Sequence, residues 1–185
     1  MTSKSPCAEA GRPGRGSAPP YPAKPVRVIT PSATGNGPDG VLRVVGRKPS
    51  SLWGQQVIVE NRPGGNGFIA VEAAKKAPAD GYTLVQMDDT HMALQPHLHR
   101  KLPYDVARDF DPVATLFRTR CFVGVPKESN RTNVAEPVAS VRARPGDATY
   151  DSWFVGSLGH LGGAMPEAQT GVRMTHGPYK EASQL

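Results

Sequence analysis

Three short β-branched runs, separated by glycine-bearing loops and helical patterns, restrict the first half of this chain to a parallel α/β sheet. The first run is Val26-Arg27-Val28-Ile29-Thr30, bounded by Pro25 and Pro31. A Gly-rich loop over 32–37 follows. Val41, Leu42, Val44 and Val45 then recur at helical spacing, with Asp39 placed to cap the helix and Arg47 and Lys48 suited to its end. A second strand is expected over 56–60 around Val57, Ile58 and Val59. A turn-rich loop over 61–67 leads to a helix over 68–76, and Asp80-Gly81 turns the chain into a third strand over 82–87. Strand, helix, strand, helix, strand is the pattern of a parallel sheet covered by helices.

The second half is less regular. Residues 115–125 are apolar enough for an extended crossing segment, and 134–142 for a weak helix. Pro145-Gly146 makes a turn before a short strand at 149–152. A loop over 156–160 enters a helix expected to be interrupted at Pro166, and 173–176 supplies one more strand. Residues 1 to about 20 read as a disordered leader, polar and rich in Gly and Pro. At 185 residues the chain has room for one ordinary domain or two small lobes.

Charge and composition narrow the function. The formal net charge is +6, but Lys and Arg are scattered, with no run longer than two. Aromatic residues make up 6% and do not alternate with basic ones, so no base-stacking platform exists and nucleic-acid binding is not expected. Cys7 and Cys121 make neither a disulfide framework nor a zinc site and read as unpaired thiols. His91, His97 and His99 are spaced wrongly for a helical metal pair, so no metal or other cofactor is expected. No apolar stretch approaches the roughly 20 residues that span a bilayer. The first 20 residues contain no apolar core of a signal peptide, which by itself would leave the chain in the cytoplasm.

Gly35-Asn36-Gly37-Pro38-Asp39-Gly40 matches the glycine spacing of a dinucleotide fingerprint, and Glu60 stands where a ribose-binding acid would. A nucleotide-dependent Rossmann enzyme using Gly35, Gly37, Gly40 and Glu60 is therefore one reading. Against it, Pro31 to Thr34 lengthen the turn, and Pro38 lacks an amide hydrogen. The broader reading is an anion site, because a Gly-rich loop at a helix start presents unpaired amides and the positive end of the helix dipole. A surface turn that merely needs positive φ would look the same. Ser152 to His160 forms a second loop of this kind, in which Gly156, Ser157 and Gly159 are flexible enough to wrap a ligand and the backbone amides, the Ser157 hydroxyl and the His160 imidazole could meet an anion; an ordinary helix-capping loop is the alternative. Ser-His-Asp catalysis lacks its nucleophile elbow and is not expected.

Several blocks in one order carry a resemblance. They are Tyr21-Pro22-Ala23-Lys24-Pro25-Val26-Arg27, Gly54-Gln55-Gln56-Val57-Ile58-Val59-Glu60-Asn61-Arg62-Pro63-Gly64, Ala79-Asp80-Gly81-Tyr82-Thr83-Leu84, Lys101-Leu102-Pro103-Tyr104-Asp105, Phe110-Asp111-Pro112-Val113 and His176-Gly177-Pro178-Tyr179-Lys180. Together they resemble the Bug-type receptors of tripartite tricarboxylate transporters. The resemblance implies an α/β fold like that of type II periplasmic-binding proteins, with two lobes and a ligand cleft between them. The division would be a leader at 1–20, a first lobe at 21–117, and a crossing segment with an incomplete second lobe at 118–185. It implies a monomeric, non-catalytic, periplasmic receptor that binds a small carboxylate and meets the membrane components of the transporter. Its ligand contacts would fall on Ser32, Ala33, Thr34, Gly35, Asn36 and Asp39, then Thr90 and His91, and in the facing lobe Ser152, Phe154, Gly156, Ser157 and His160. The chain departs from the family at Ser32, where a Phe is usual, and at Gly35-Asn36, where a glycine pair is usual. Family members also run well past Leu185, so a truncated remnant that binds nothing is a further reading.

Overall fold

The computed structural model describes residues 20–120, 122, 124, 127, 133, 135–144 and 147–179. The leader up to residue 19, both cysteines, Val125, Val134, the Pro145-Gly146 turn and Lys180 lie outside the described residues. The first lobe is built on β1 (Val26–Thr30), the central strand of a parallel sheet in which β2 (Val57–Asn61) and β3 (Thr83–Val85) flank it. Val28 stands opposite Val59 on one side and Leu84 on the other. Its central position explains the β-branched run, in which Val26, Val28, Ile29 and Thr30 are all buried and Arg27 is partly exposed. Each such Val or Ile contributes roughly 1.5–3 kcal/mol through apolar burial.

Two helices cover the sheet. α1 (Gly37–Trp53) packs on β2, so closely that a Cβ on Gly46 would lie 3.2 Å from Val57 Cγ1. α2 (Phe68–Lys75) packs on β1 and β3 through Ala70 and Val71, both fully buried. The expected start and end of α1 need correction. Asn36, extended at φ −70° and ψ 162°, precedes the helix, and Asp39 lies inside its first turn. The helix also runs past Arg47, Lys48 and Pro49 to Trp53, where Gly54 takes the left-handed conformation that ends it. Pro49 removes the donor for the Val45 carbonyl, but Val45 lies on the exposed side where water can substitute. One residue on, Ser50 donates its hydroxyl to the Gly46 carbonyl at 2.8 Å and accepts the Val57 amide at 2.9 Å, joining α1 to the start of β2.

The third strand is shorter than expected, and three elements after it have no counterpart in the sequence reading. They are a π-helical turn at Thr90–Leu94, α3 (Gln95–Leu98) and α4 (Val106–Asp109). Residues 111–120 carry no regular structure.

The second lobe contains α5 (Ala135–Ala143) and a βαβ unit of β4 (Thr149–Ser152), α6 (Leu158–Thr170) and β5 (Thr175–Pro178). β4 and β5 are parallel, with Tyr150 opposite His176, so the last strand begins two residues later than expected. α6 is continuous through Pro166, contrary to the expected interruption. Gly162, whose carbonyl the proline ring crowds, carries no side chain, and Thr170 Oγ1 closes the next turn on the Pro166 carbonyl at 2.6 Å. Gly163 is required by contact, because a Cβ there would fall 2.1 Å from the Tyr150 ring.

Candidate ligand cleft

Where β1 ends, the chain is held from behind. Buried Thr30 donates its hydroxyl to Gln86 at 2.8 Å and accepts the Ser32 amide at 3.1 Å. Asp39, 2% exposed, is the hub of the loop. Its carboxylate accepts the Gly35 amide at 2.9 Å, the Asn61 side-chain amide at 2.8 Å and the Arg43 guanidinium at 2.9 and 3.0 Å. Asn61 also donates to the Ser32 carbonyl at 3.0 Å, tying β2 to the loop. The Arg43 hydrogen bond first, then the Gly35 and Asn61 bonds, hold the Asp39 carboxyl far below the usual carboxylate range. Gly35 is the loop residue that needs glycine, at φ +88°. Among the described residues, the amides of Ala33, Thr34, Gly37 and Asp39 make no hydrogen bond within the protein. Gly37 and Asp39 are unpaired donors of the helix start, and Ala33 and Thr34 belong to the loop before it.

The π-helical turn supplies the neighbouring wall. Asp89 caps it at the Thr90 amide, and Asp88 Oδ1 lies 2.6 Å from His91 Nδ1. Thr90 and His91 are buried. Below them, Tyr104 donates to the His91 carbonyl and the Gln95 side chain, and Gln95 donates to the Asn66 carbonyl at 2.7 Å. Burial, and after it the Asp88 charge, pushes the Tyr104 hydroxyl up to about 12, so it remains a donor. His91 Nε2 is buried without a partner and lies where a Cβ on Gly67 would come within 1.9 Å.

The facing wall comes from the loop before α6. Ser157 caps the helix, accepting the His160 amide at 3.2 Å. Gly156, at φ +88°, donates its amide to His160 Nδ1 at 3.1 Å. Among the described residues, the Leu158 and Gly159 amides have no partner. This loop abuts the first lobe: a Cβ on Gly156 would lie 2.9 Å from Leu98 Cδ1.

The two walls enclose one trough of about 2570 Å³, larger than the roughly 300–1,000 Å³ of a small-molecule site. Of the expected ligand residues, Ser32, Ala33, Gly35, Asn36, Thr90, His91 and Phe154 line it. Thr34, Asp39, Ser152, Gly156, Ser157 and His160 do not; Asp39, Ser152, Gly156 and Ser157 are buried behind the surface loops. The sequence reading missed Asp88, Asp89, Arg118, Arg120, Trp153 and Leu158 as ligand contacts, all of which line the trough together with Gly159 of the expected second loop. Leu158 was recoverable as the first residue after the Ser157 cap. The others carry no motif. Glu60, the acid a dinucleotide would need, is instead paired with Arg62 at 2.6 Å and Arg27 at 3.3 Å.

Residues 41–185 match a family model described as tripartite tricarboxylate transporter family receptor. The chain is 31% identical over 163 residues to a protein of the tcbD-tcbE intergenic region of Pseudomonas sp. (strain P51), covering 88% of this chain and 48% of that protein. Protein BugT of Bordetella pertussis (strain Tohama I) is 32% identical over 165 residues, 89% of this chain and 51% of its own. Among solved structures, an R. palustris protein with adipate superposes with a TM-score of 0.81 at 32% identity, over 89% of this chain and 55% of that chain. A structure described as a periplasmic transporter gives 0.75 at the same identity and coverage. The chain thus spans about half the length of the relatives it matches. The α/β fold of a periplasmic-binding protein, in part, is what these superpositions share. By the match over residues 41–185, the chain belongs to the tripartite tricarboxylate transporter receptor family.

Proposed function

We propose that this chain carries the ligand-binding part of an extracytoplasmic receptor that captures a small dicarboxylate for a tripartite transporter and does no covalent chemistry. One observation carries the reading: two helix starts, one per lobe, bring unpaired amides to the same trough. Gly37 lines it from α1, and Leu158 and Gly159 line it from α6. Each start favours an anion through its amides and dipole, and two such starts suit a ligand negative at both ends. Ser32, Asn36, Thr90 and His91 lie around the first start, and Phe154 beside the second. Both starts come from one chain, so binding requires a single copy. The adipate held by the R. palustris relative supports a dicarboxylate as ligand. Family membership supports delivery to membrane components outside the cytoplasm.

The test is calorimetric titration of the purified protein with adipate, and with NAD as control. Adipate is expected to bind and to raise the melting temperature, since a ligand of the native state must stabilise it. Gly37→Pro removes one amide hydrogen at a position where proline suits a helix, and is expected to weaken adipate at least about tenfold. Binding of NAD in place of adipate and other di- and tricarboxylates, or an unchanged affinity in Gly37→Pro, would refute the assignment.

A further inference from the structure

At the second wall three aromatic rings are stacked, of which Tyr150 reaches the trough. Tyr150 of β4 lies against His176 of β5 at 4.9 Å between centroids, and His176 against His160 of α6 at 4.3 Å. The two imidazoles have separate duties. His160 Nδ1 accepts the Gly156 amide, which requires that nitrogen to be bare and puts the proton on Nε2. His176 Nε2 lies 2.7 Å from Ser152 Oγ, and the Ser152 hydroxyl donates to the Phe154 carbonyl at 3.2 Å. His176 therefore donates to Ser152. Both bonds end on the stretch 152–156, which carries Trp153, Phe154 and Val155 to the trough.

We propose that His160 and His176 are positioning residues that hold this loop in its ligand-binding shape only while His160 is unprotonated, so that ligand affinity falls on acidification. The proposal rests on the receptor reading for its consequence, but not for its mechanism. A proton on His160 Nδ1 replaces the acceptor by a donor aimed at the Gly156 N–H, and that bond is lost. Protonating both rings would also set two like charges 4.3 Å apart. Among the described residues, the charged carboxylates acting on the His176 ring are Asp151 beside β5 and Glu167 on α6. Burial first, and then His160, press the His176 imidazole below its ordinary range, against the pull of Asp151 and Glu167. Tyr150 stays neutral, because burial and then Glu167 push its hydroxyl up. A group whose folded state disfavours the proton contributes stability above its unfolded range and loses it as pH falls, so acid acts against this packing.

The experiment is a nuclear magnetic resonance titration of the isotope-labelled, ligand-free protein from about pH 8 to about pH 5, with adipate affinity measured at both ends. At the high end His160 Nδ1 should be unprotonated, and the Gly156 amide signal should move with the imidazole titration. Adipate affinity should fall at least about tenfold at the low end. His160→Asn presents an oxygen near the Nδ1 position that does not titrate in this range, and its affinity, whatever its absolute value, should lose the pH dependence. A Gly156 amide that ignores the imidazole titration overturns the proposal, as does a His160→Asn variant with the wild-type pH profile. If adipate binds at neither pH while Gly156 still follows the imidazoles, the loop device stands and the carboxylate reading falls.

Discussion

Asp39→Asn tests whether the first loop is held by charge. The substitution keeps the shape of the side chain but cannot accept the Gly35, Asn61 and Arg43 donors together. A destabilisation of about 2 kcal/mol is expected in chemical denaturation, the scale of lost hydrogen bonds to a charged group. The sign of the pH dependence follows from the direction of the shift. The folded carboxyl sits far below its unfolded range, so its contribution is complete above about pH 5, begins to decline near about 4, and is lost only as pH falls through the folded carboxyl's own much lower range. The variant should lack this acid sensitivity. The resemblance put Asp39 and Ser157 among the ligand contacts, and both stand at helix starts. Whether such a side chain faces outward or turns back to tie its own loop depends on partners distant in sequence, here Asn61 at β2 for Asp39. Pattern reading finds the helix start; it does not find the direction of the side chain.

Elements were legible to the extent that a periodic pattern and a boundary signal agreed. β1 has both, with prolines on either side, and its limits are those the residues suggest. α1 and α6 differ because proline is a strong local signal that tertiary contacts can override. In α1 the overriding contacts are the Gly46 approach to Val57 and the Ser50 bridge to the Val57 amide. Pro49→Ala restores an amide hydrogen to the Val45 carbonyl without disturbing either contact. It is expected to raise stability by about 1–3 kcal/mol, read as a higher midpoint in thermal unfolding followed by circular dichroism. The π-helical turn at Thr90–Leu94 had no signal of its own. Its geometry is imposed by the Tyr104–Gln95–Asn66 hydrogen bonds, which join residues far apart in the chain.

At the scale of the molecule, the net charge of +6 adds a long-range attraction for anions to the short-range amides of the trough. On the receptor reading, raising ionic strength from about 0.01 to about 0.15 M should weaken adipate binding by less than about tenfold, since the Debye length shrinks from roughly 30 to roughly 8 Å. A neutral diester of the same length should show no such dependence, and titrations in two buffers would check both. The two-lobed arrangement was legible only through the ordered blocks of resemblance, because crossing segments have no periodicity. The contact of Gly156 with Leu98 has a consequence for selectivity. It sets the loop before α6 against α3 of the first lobe and so bears on how far apart the two helix starts stand, and those starts are backbone features that side-chain changes around the trough leave in place. On the receptor reading, two starts held at a set separation would act as a calliper, choosing among diacids by the distance between their ends before any side chain touches the middle.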